Sequence, residues 1–386
     1  MQMPGDFGLV YAPWSHSHTA GQLLDRAFGE VGVEHLTIPV VTGEQTLFRL
    51  CGGPGSPYFY TEGGWHFPPQ NQLYGASAFR PRAARWFGTR DVVAEVCERA
   101  AKLGLALVFR IDLPAVRGVV EHAPQHRCRN AWGDELLSFG PCVCSSEFRE
   151  LVRATLADLA RYQPAGFELR NLGLPPLKYA EAAPSPLLSA EEGFVTCFCA
   201  GCRQIATMAG LDADAAARAV REAATRVAQG PAHEARERAL HLREDEILKG
   251  YQAARTADLQ RWLSRLPEAH AARRMFFARD ADERVAVAAP ELKLGPRWTN
   301  RLVASPAWLR GGWSELRGRL SPRPAEFRAL SLPVWVPEGP GADQLVQAVS
   351  QAVDAGVEFF DFDGVEEAPA DVVTWVKQAV RYARRG

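Results

Sequence analysis

The sequence has no charge excess of either sign: 44 Lys and Arg stand against 45 Asp and Glu. That balance gives no electrostatic reason to expect nucleic acid or an anionic membrane as a partner. No stretch of about 18 consecutive apolar residues occurs, so nothing reads as a membrane span. The start, MQMPGDFGLVYAPW, lacks a basic segment followed by an apolar one, so secretion is not expected and a cytoplasmic home follows by default. Eight cysteines in 386 residues are too few and too unevenly spaced for a disulfide framework; in a reducing compartment they stand as thiols or metal ligands. There is no solenoid-period repeat and no low-complexity tract.

What is present is an alternation. Short β-branched or aromatic runs appear at Phe7–Tyr11, Leu36–Val41, Leu105–Leu113, Gly166–Leu169, Arg274–Ala278, Leu302–Ser305, Pro333–Val336 and Val357–Phe362. Helical patterns lie between them: Ala20–Glu30, Thr89–Leu103, Glu147–Tyr162, a long run from Ala213 to Leu266, and Ala342–Ala355. Val92, Val93, Val96, Ala100 and Leu103 recur at helical spacing, and Gly104 ends that helix directly before LALVFRI. The same helix-Gly-strand step returns at Gly356 before VEFFDF. Eight such βα units predict an α/β fold, a single (β/α)8 TIM barrel over residues 1–386 with long βα loops. Residues 172–266 form an elaborated loop and helical insertion after the fourth strand. The loops after strands are long and rich in Gly, Pro and aromatics, and a barrel gathers them on one face, where such folds keep their active sites.

The densest chemical signal is FVTCFCAGCRQIA, in which Cys197, Cys199 and Cys202 form a CxCxxC cluster. Thiolates at this spacing converge on one tetrahedral Zn²⁺ at about 2.3 Å, and a fourth ligand must come from elsewhere. Cys128, Cys142 and Cys144 are the candidates upstream. Four thiolates close the coordination sphere, so the expected zinc is a structural brace. Unligated thiols or redox chemistry are the alternatives.

The run RNAWGDELLSFGPCVCSSEFRELVRATLADLARYQPAGFELRNLG, followed by FVTCFCAGCRQIATMAGLD, resembles a bacterial family of glycosyl hydrolase-like proteins with a TIM-barrel domain. It is more distantly similar to zinc-carrying β-galactosidases, in which a cysteine shortly before a helix joins a CxCxxC cluster after the fourth strand. Cys142, seven residues before Arg149, matches that upstream ligand, with Cys144 competing. The likeness spans about Arg129 to Asp212, with an echo at GVEFFDFDGV. It implies a carbohydrate-active protein that binds a glycoside. It also exposes a departure: where relatives carry two acids on the fourth strand, this chain reads Glu168-Leu169-Arg170-Asn171-Leu172-Gly173. Arg170 or Leu172 thus stands where a carboxylate is expected.

Glycoside hydrolysis needs two carboxyl groups flanking the bond, one of them protonated. The strand-end acids are Asp112, Glu168, Asp280, Glu338, Asp361 and Asp363. In related barrels the fourth and seventh strands supply the pair, which favours Glu168 with Glu338, and Asp363 is a further catalytic candidate. Glu168 and Arg170, two apart on a strand, share a face, and the guanidinium favours the ionised carboxylate. That suits a hydroxyl acceptor or an ion-pair partner better than a general acid. Glu338 is alternatively an exposed loop residue beside Gly339-Pro340-Gly341, and Asp361 and Asp363 polar caps. Asp112, Arg170, Asn171 and Asp361 are candidate sugar contacts. Trp14, Trp65, Tyr74, Trp86, Trp132, Trp298 and Trp335 are expected at the mouth, Trp14 and Trp335 foremost as stacking surfaces for sugar CH faces. The alternative is that they pack under long loops. His16 and His18 form an HxH after the first strand, as in metal-dependent amidohydrolase barrels, although the fifth and sixth strands carry no histidine. The readings are therefore a glycosyl-hydrolase-like enzyme, a degenerate barrel that binds sugar without cleaving it, and an amidohydrolase.

Overall fold

The computed structural model describes residues 6–19, 22–50, 57–116, 119, 123–135, 141–172, 194, 196–269, 274–280, 294, 296–304, 328–334 and 341–385. Trp335 and Glu338 lie outside the described residues. Eight strands build the barrel: β1 Asp6–Val10, β2 His35–Thr42, β3 Ala106–Ile111, β4 Gly166–Arg170, β5 Arg274–Asp280, β6 Trp298–Val303, β7 Ala329–Pro333 and β8 Phe359–Asp363. Each pairs in parallel with its successor, and β8 pairs with β1, which closes the sheet. The expected (β/α)8 barrel is the fold.

Alternation along each strand divides the side chains into two sets. One set, including Phe7, Leu36, Ile38, Phe109, Phe167, Met275, Leu330 and Phe360, is apolar and buried, and joins the large core packed against the outer helices. Ser146–Leu159 contributes Phe148, Leu151, Val152 and Leu159 to that core. Val92–Leu103 starts at Asp91, whose carboxylate accepts from Ala94 N–H at 3.0 Å. It ends at Gly104 in the left-handed conformation (φ 72°), and Leu105 N–H then reaches back to Ala100 O at 2.9 Å. Gly356 (φ 88°) repeats the device before β8, with Val357 N–H on Ala352 O at 3.0 Å.

Three elements depart most from the sequence expectation. β6 begins at Trp298, not Leu302, so the polar stretch Thr299-Asn300-Arg301 lies inside a strand. Trp298 therefore sits at the N-terminal end of its strand, away from the mouth, its ring against Phe277 and its N–H on Leu263 O at 3.2 Å. β7 is Ala329–Pro333 rather than Pro333–Val336, and proline, lacking an N–H, stands at the end of the ladder. The long helical run between β4 and β5 is interrupted at Gly230-Pro231, giving Ala213–Gln229, Ala235–Leu240 and Glu246–Ala269 after Ala200–Met208. Among the described residues no helix is long and apolar enough to cross a membrane.

Candidate functional site

The inward set of side chains is where this barrel is unusual. Thr37 of β2, Glu168 of β4, Arg301 of β6 and Asp361 of β8 form one layer contributed by alternate strands, the geometry that normally stacks branched aliphatics. Here the layer is charged, and all four residues are fully buried. Below it lie Val108, Phe276 and Ala329, with Phe359 packed on them. The Arg301 guanidinium stacks over Phe276 at 4.3 Å and bonds to both Glu168 and Asp361. Arg110 of β3 donates Nε–H to Glu168 Oε1 at 2.6 Å and Nη1–H to Asp363 Oδ2 at 2.9 Å. Both Glu168 oxygens are thus held by guanidinium groups. Arg170 approaches the same carboxylate at 3.6 Å, confirming the shared face read from the sequence.

His35 extends the network downward. Its Nδ1–H meets Asp6 Oδ1 at 2.6 Å and its Nε2–H meets Asp361 Oδ1 at 2.8 Å. Against the opposing effect of burial, the two carboxylates raise its pKa to about 9. The Asp361 carboxyl is held well below the usual carboxylate range by Arg301, His35 and Arg110, although burial opposes this. The ring fits because residue 8 is glycine: a Cβ there would lie 2.2 Å from His35 Nε2. Counted together, Asp6, Glu168, Asp361 and Asp363 face His35, Arg110, Arg170 and Arg301, a balance that makes a buried charge layer tolerable.

At the mouth a second group of residues gathers. Asp112 and Asn171, at the ends of β3 and β4, are joined by Asn171 Nδ2–H on Asp112 Oδ2 at 2.8 Å, with Asn171 in the left-handed region (φ 54°). Asp363 ends β8, its side chain 34% exposed. Gly364 (φ 78°) then turns the chain into the short helix Val365–Glu367. Glu366 lies among Glu367, Asp363 and Arg49, with the Trp14 indole N–H as the neighbouring donor, and its Oε2 has no contact with solvent. Burial, then the charges of Glu367 and Asp363, push its pKa up to about 8. Burial and Asp363 push Glu367 up to about 7.

One wall of this region is aromatic. Trp14 stacks on Phe59 at 5.2 Å and meets His66 and Trp86 edge-on at 4.9 Å and 6.3 Å. Trp86 donates Nε1–H to His66 Nδ1 at 2.9 Å, so Nε2 carries the His66 proton and gives it to Thr42 Oγ1 at 2.8 Å. Burial keeps His66 neutral, with a pKa near 3. Trp14 is only 4% exposed, packed into this wall rather than standing open as a platform. Trp65 and Tyr74 are fully buried, Tyr74 donating to Asp158 Oδ2 at 3.1 Å, while Trp132 is exposed. His16 lies in the helix Pro13–Thr19 with Nδ1 3.3 Å from the Tyr11 hydroxyl.

The cysteines converge where the segment leading into the helix Ala200–Met208 meets the chain before Ser146–Leu159. The sulfurs of Cys142, Cys197, Cys199 and Cys202 all lie within 4.8 Å of one another, and all four residues are buried. Cys142 Sγ is 3.5 Å from Cys202 Sγ. A tetrahedron of about 2.3 Å bonds has edges of about 3.8 Å, so the donor set fits a zinc-sized ion. Cys128 and Cys144 flank Cys142. Arg255 donates Nε–H to Cys202 Sγ at 3.2 Å, a buried cation placed where thiolate charge accumulates. Gly201 lets the helix Ala200–Met208 approach, since a Cβ there would lie 2.6 Å from Cys144 O. Among the described residues this quartet is the group close enough to hold a metal.

The sequence reading missed His35, Arg110, Arg301, Arg49, Glu366 and Glu367. Arg110 sat in plain view inside FRID, at the parity that faces inward once Phe109 and Ile111 face outward. Arg301 was hidden by the late start assigned to its strand. Glu366 and Glu367 follow the last strand in DFDGVEE, where a glycine turn hands two acids to the mouth.

No family model matches the chain, and no curated protein matches it by sequence. Solved structures do resemble it. A β-galactosidase from Bacillus circulans sp. alkalophilus superposes with a TM-score of 0.54 at 13% identity, over 98% of this chain and 56% of that one. A GH20 exo-β-N-acetylglucosaminidase from Vibrio harveyi gives a TM-score of 0.49 at 10% identity, over 100% of this chain and 56% of that one. An α-L-fucosidase from Paenibacillus thiaminolyticus gives 0.47 at 11% identity, over 98% and 49%. The chain spans about half the length of these proteins. At 13% identity the likeness to the β-galactosidase concerns the architecture alone, a (β/α)8 barrel.

Proposed function

We propose that the protein is a carbohydrate-active barrel that seats a saccharide at its C-terminal mouth, with Glu168 serving as an ion of the barrel core rather than as a catalytic carboxyl. The observation that carries this reading is the contrast between two sets of acids. Glu168 and Asp361 are fully buried with their oxygens engaged by Arg110, Arg301, His35 and Thr37, whereas Asp363, which Arg110 also reaches, stands partly exposed with Glu366 and Glu367 at the end of β8 beside an aromatic wall. Sugars are held by carboxylates and amides on their hydroxyls and by apolar faces against their CH groups, and Asp112, Asn171 and Arg170 line the neighbouring strand ends.

Zinc belongs to the same proposal. Cys142, Cys197, Cys199 and Cys202 would hold it, and with four thiolates it leaves no open position for substrate, so its work is to brace the loop after β4. A reducing, cytoplasmic setting, in which cysteines stand as thiols or metal ligands, belongs to the same proposal.

Calorimetric titration with a panel of pyranosides and short oligosaccharides tests the reading. Saturable binding of at least one member, weakened at least tenfold in Asp363→Ala, is expected. If no sugar binds, the carbohydrate reading fails. Binding without turnover by the wild-type protein would favour the binding barrel, a reading supported by Arg170 and Leu172, at and just beyond the end of β4, standing where the glycosyl-hydrolase family that the chain resembles carries acids.

A further inference from the structure

We infer that the barrel interior binds one small monovalent anion of the halide class beneath the mouth, through Arg110, Arg301 and Ser331. The site lies below the strand ends and is independent of any saccharide seated there.

The barrel interior carries a surplus of buried donors. Arg301 turns Nη1 toward Thr37, Glu168 and Asp361, while Nε–H and Nη2–H, side by side on one edge of its guanidinium, have no partner. Arg110 gives Nε–H to Glu168 and Nη1–H to Asp363, and its Nη2 is left without a hydrogen bond, 3.9 Å from Asp361 Oδ2. Ser331 Oγ is likewise without a partner. All three residues are at most 4% exposed, so solvent does not satisfy these groups, and leaving them unmet is costly.

The strand period brings the donors into one region. Val108, Phe276 and Ala329 form an inward layer on β3, β5 and β7. Two residues further along the same strands, Arg110, Ala278 and Ser331 form the next layer toward the mouth. Arg301 comes from β6, between β5 and β7, and its guanidinium rests on Phe276. Ala278 and Ser331, on either side of β6, are too short to cover that guanidinium from above.

Charge decides what the donors take. Asp6, Glu168, Asp361 and Asp363 face Arg110, Arg170, Arg301 and a His35 cation held between two carboxylates, with Arg274 at 3.4 Å from Asp6 Oδ2: five cations against four anions. One monovalent anion completes the balance. A water accepts from two donors and then needs acceptors for its own protons, yet both oxygens of Glu168 and of Asp361 are already engaged. An anion accepts from every donor and offers none. A carboxylate tethered to a sugar is a poorer fit, because it must pass the like charge of Asp363 to reach atoms without solvent contact. The bound anion would fix Arg110, whose Nη1–H holds Asp363 at the mouth.

Bromide is the probe, since its anomalous scattering distinguishes it from water. Crystals of the full chain grown in sodium bromide should show one anomalous peak inside the barrel, within hydrogen-bonding reach of Arg301 Nη2 and Ser331 Oγ. In solution, chloride at about 100 times its Kd should raise the melting midpoint by about 3 °C over gluconate at equal ionic strength. Ser331→Val removes the donor and fills its surroundings, and should abolish that shift. Ser331→Ala keeps the room and should weaken chloride about tenfold, which decides the matter if the valine variant does not fold. Water without an anomalous signal at that position, equal midpoints in chloride and gluconate, or an undiminished chloride shift in Ser331→Val overturns the inference. None of these results bears on saccharide binding at the mouth.

Discussion

Glu168→Gln is the substitution on which the structural and catalytic accounts of this barrel diverge most. The change keeps the shape of the side chain but removes its charge, and it turns an NH2 group toward one of two guanidinium groups, donor against donor. Arg110 and Arg301 are then left buried with less negative charge than they were placed to meet. Breaking a buried ion pair from one side costs about 3–5 kcal/mol. At about 2.1 cal/mol/K per residue, the 386-residue chain has an unfolding entropy of about 0.8 kcal/mol/K, so the melting midpoint should fall by about 4–6 °C. Arg301→Met should cost a similar amount, because it strips Glu168 and Asp361 of a shared partner. Additivity would put the double variant at about 6–10 kcal/mol. Removing both charges together restores the balance, so the account expects about 4–6 kcal/mol, a coupling of about 2 kcal/mol or more. Differential scanning fluorimetry and denaturant midpoints on the four proteins measure the cycle. Single losses below about 1 kcal/mol that simply add would refute the reasoning and return Glu168 to the list of free, chemically available acids.

Three further outcomes follow from the same structure. His35 has a folded pKa of about 9 against 6.5 unfolded, so its contribution is fully present below about pH 6.5 and is lost as pH rises through 9; the shift corresponds to about 3 kcal/mol. Denaturant unfolding at pH 6, 7.5 and 9 should show that decline, and a flat profile would contradict the assignment. Gly8→Ala drives a Cβ into the His35 ring and should cost about 1–3 kcal/mol while lowering the His35 pKa, which proton NMR of the imidazole can follow. Cys202→Ser should reduce bound zinc below one equivalent by elemental analysis and loosen the loop after β4 toward proteolysis, whereas Cys144→Ser should keep the metal; the reverse pattern would reassign the ligand set.

The barrel was legible because its outward residues are apolar at period two and its helices end at glycines before strands. Gly104 and Gly356 do in the structure what the sequence said they would. The charged interior was less legible for a physical reason. Sequence patterns report burial through hydrophobicity, and a layer in which arginines and carboxylates satisfy one another leaves no apolar trace. Arg301 shows this most clearly: Trp298-Thr299-Asn300-Arg301 reads as a polar turn until its ladder partners in β5 and β7 are known. Glu168 and Arg170 were recognisable as sharing a face, since that needs only the strand period, but the partners across the barrel needed the closed sheet. Glu366 and Glu367 lie just beyond the strand end, where a glycine turn decides direction, and no pattern in the chain announces that they turn back over the mouth.

The most direct test of the division between core acids and mouth acids is a crystal structure of the protein with a bound saccharide. The account predicts a sugar ring at the barrel mouth in polar contact with Asp363 and Glu366, while Glu168 remains bonded to Arg110 and Arg301. A sugar oxygen bonded to Glu168, with those guanidinium groups turned away from it, would contradict the account.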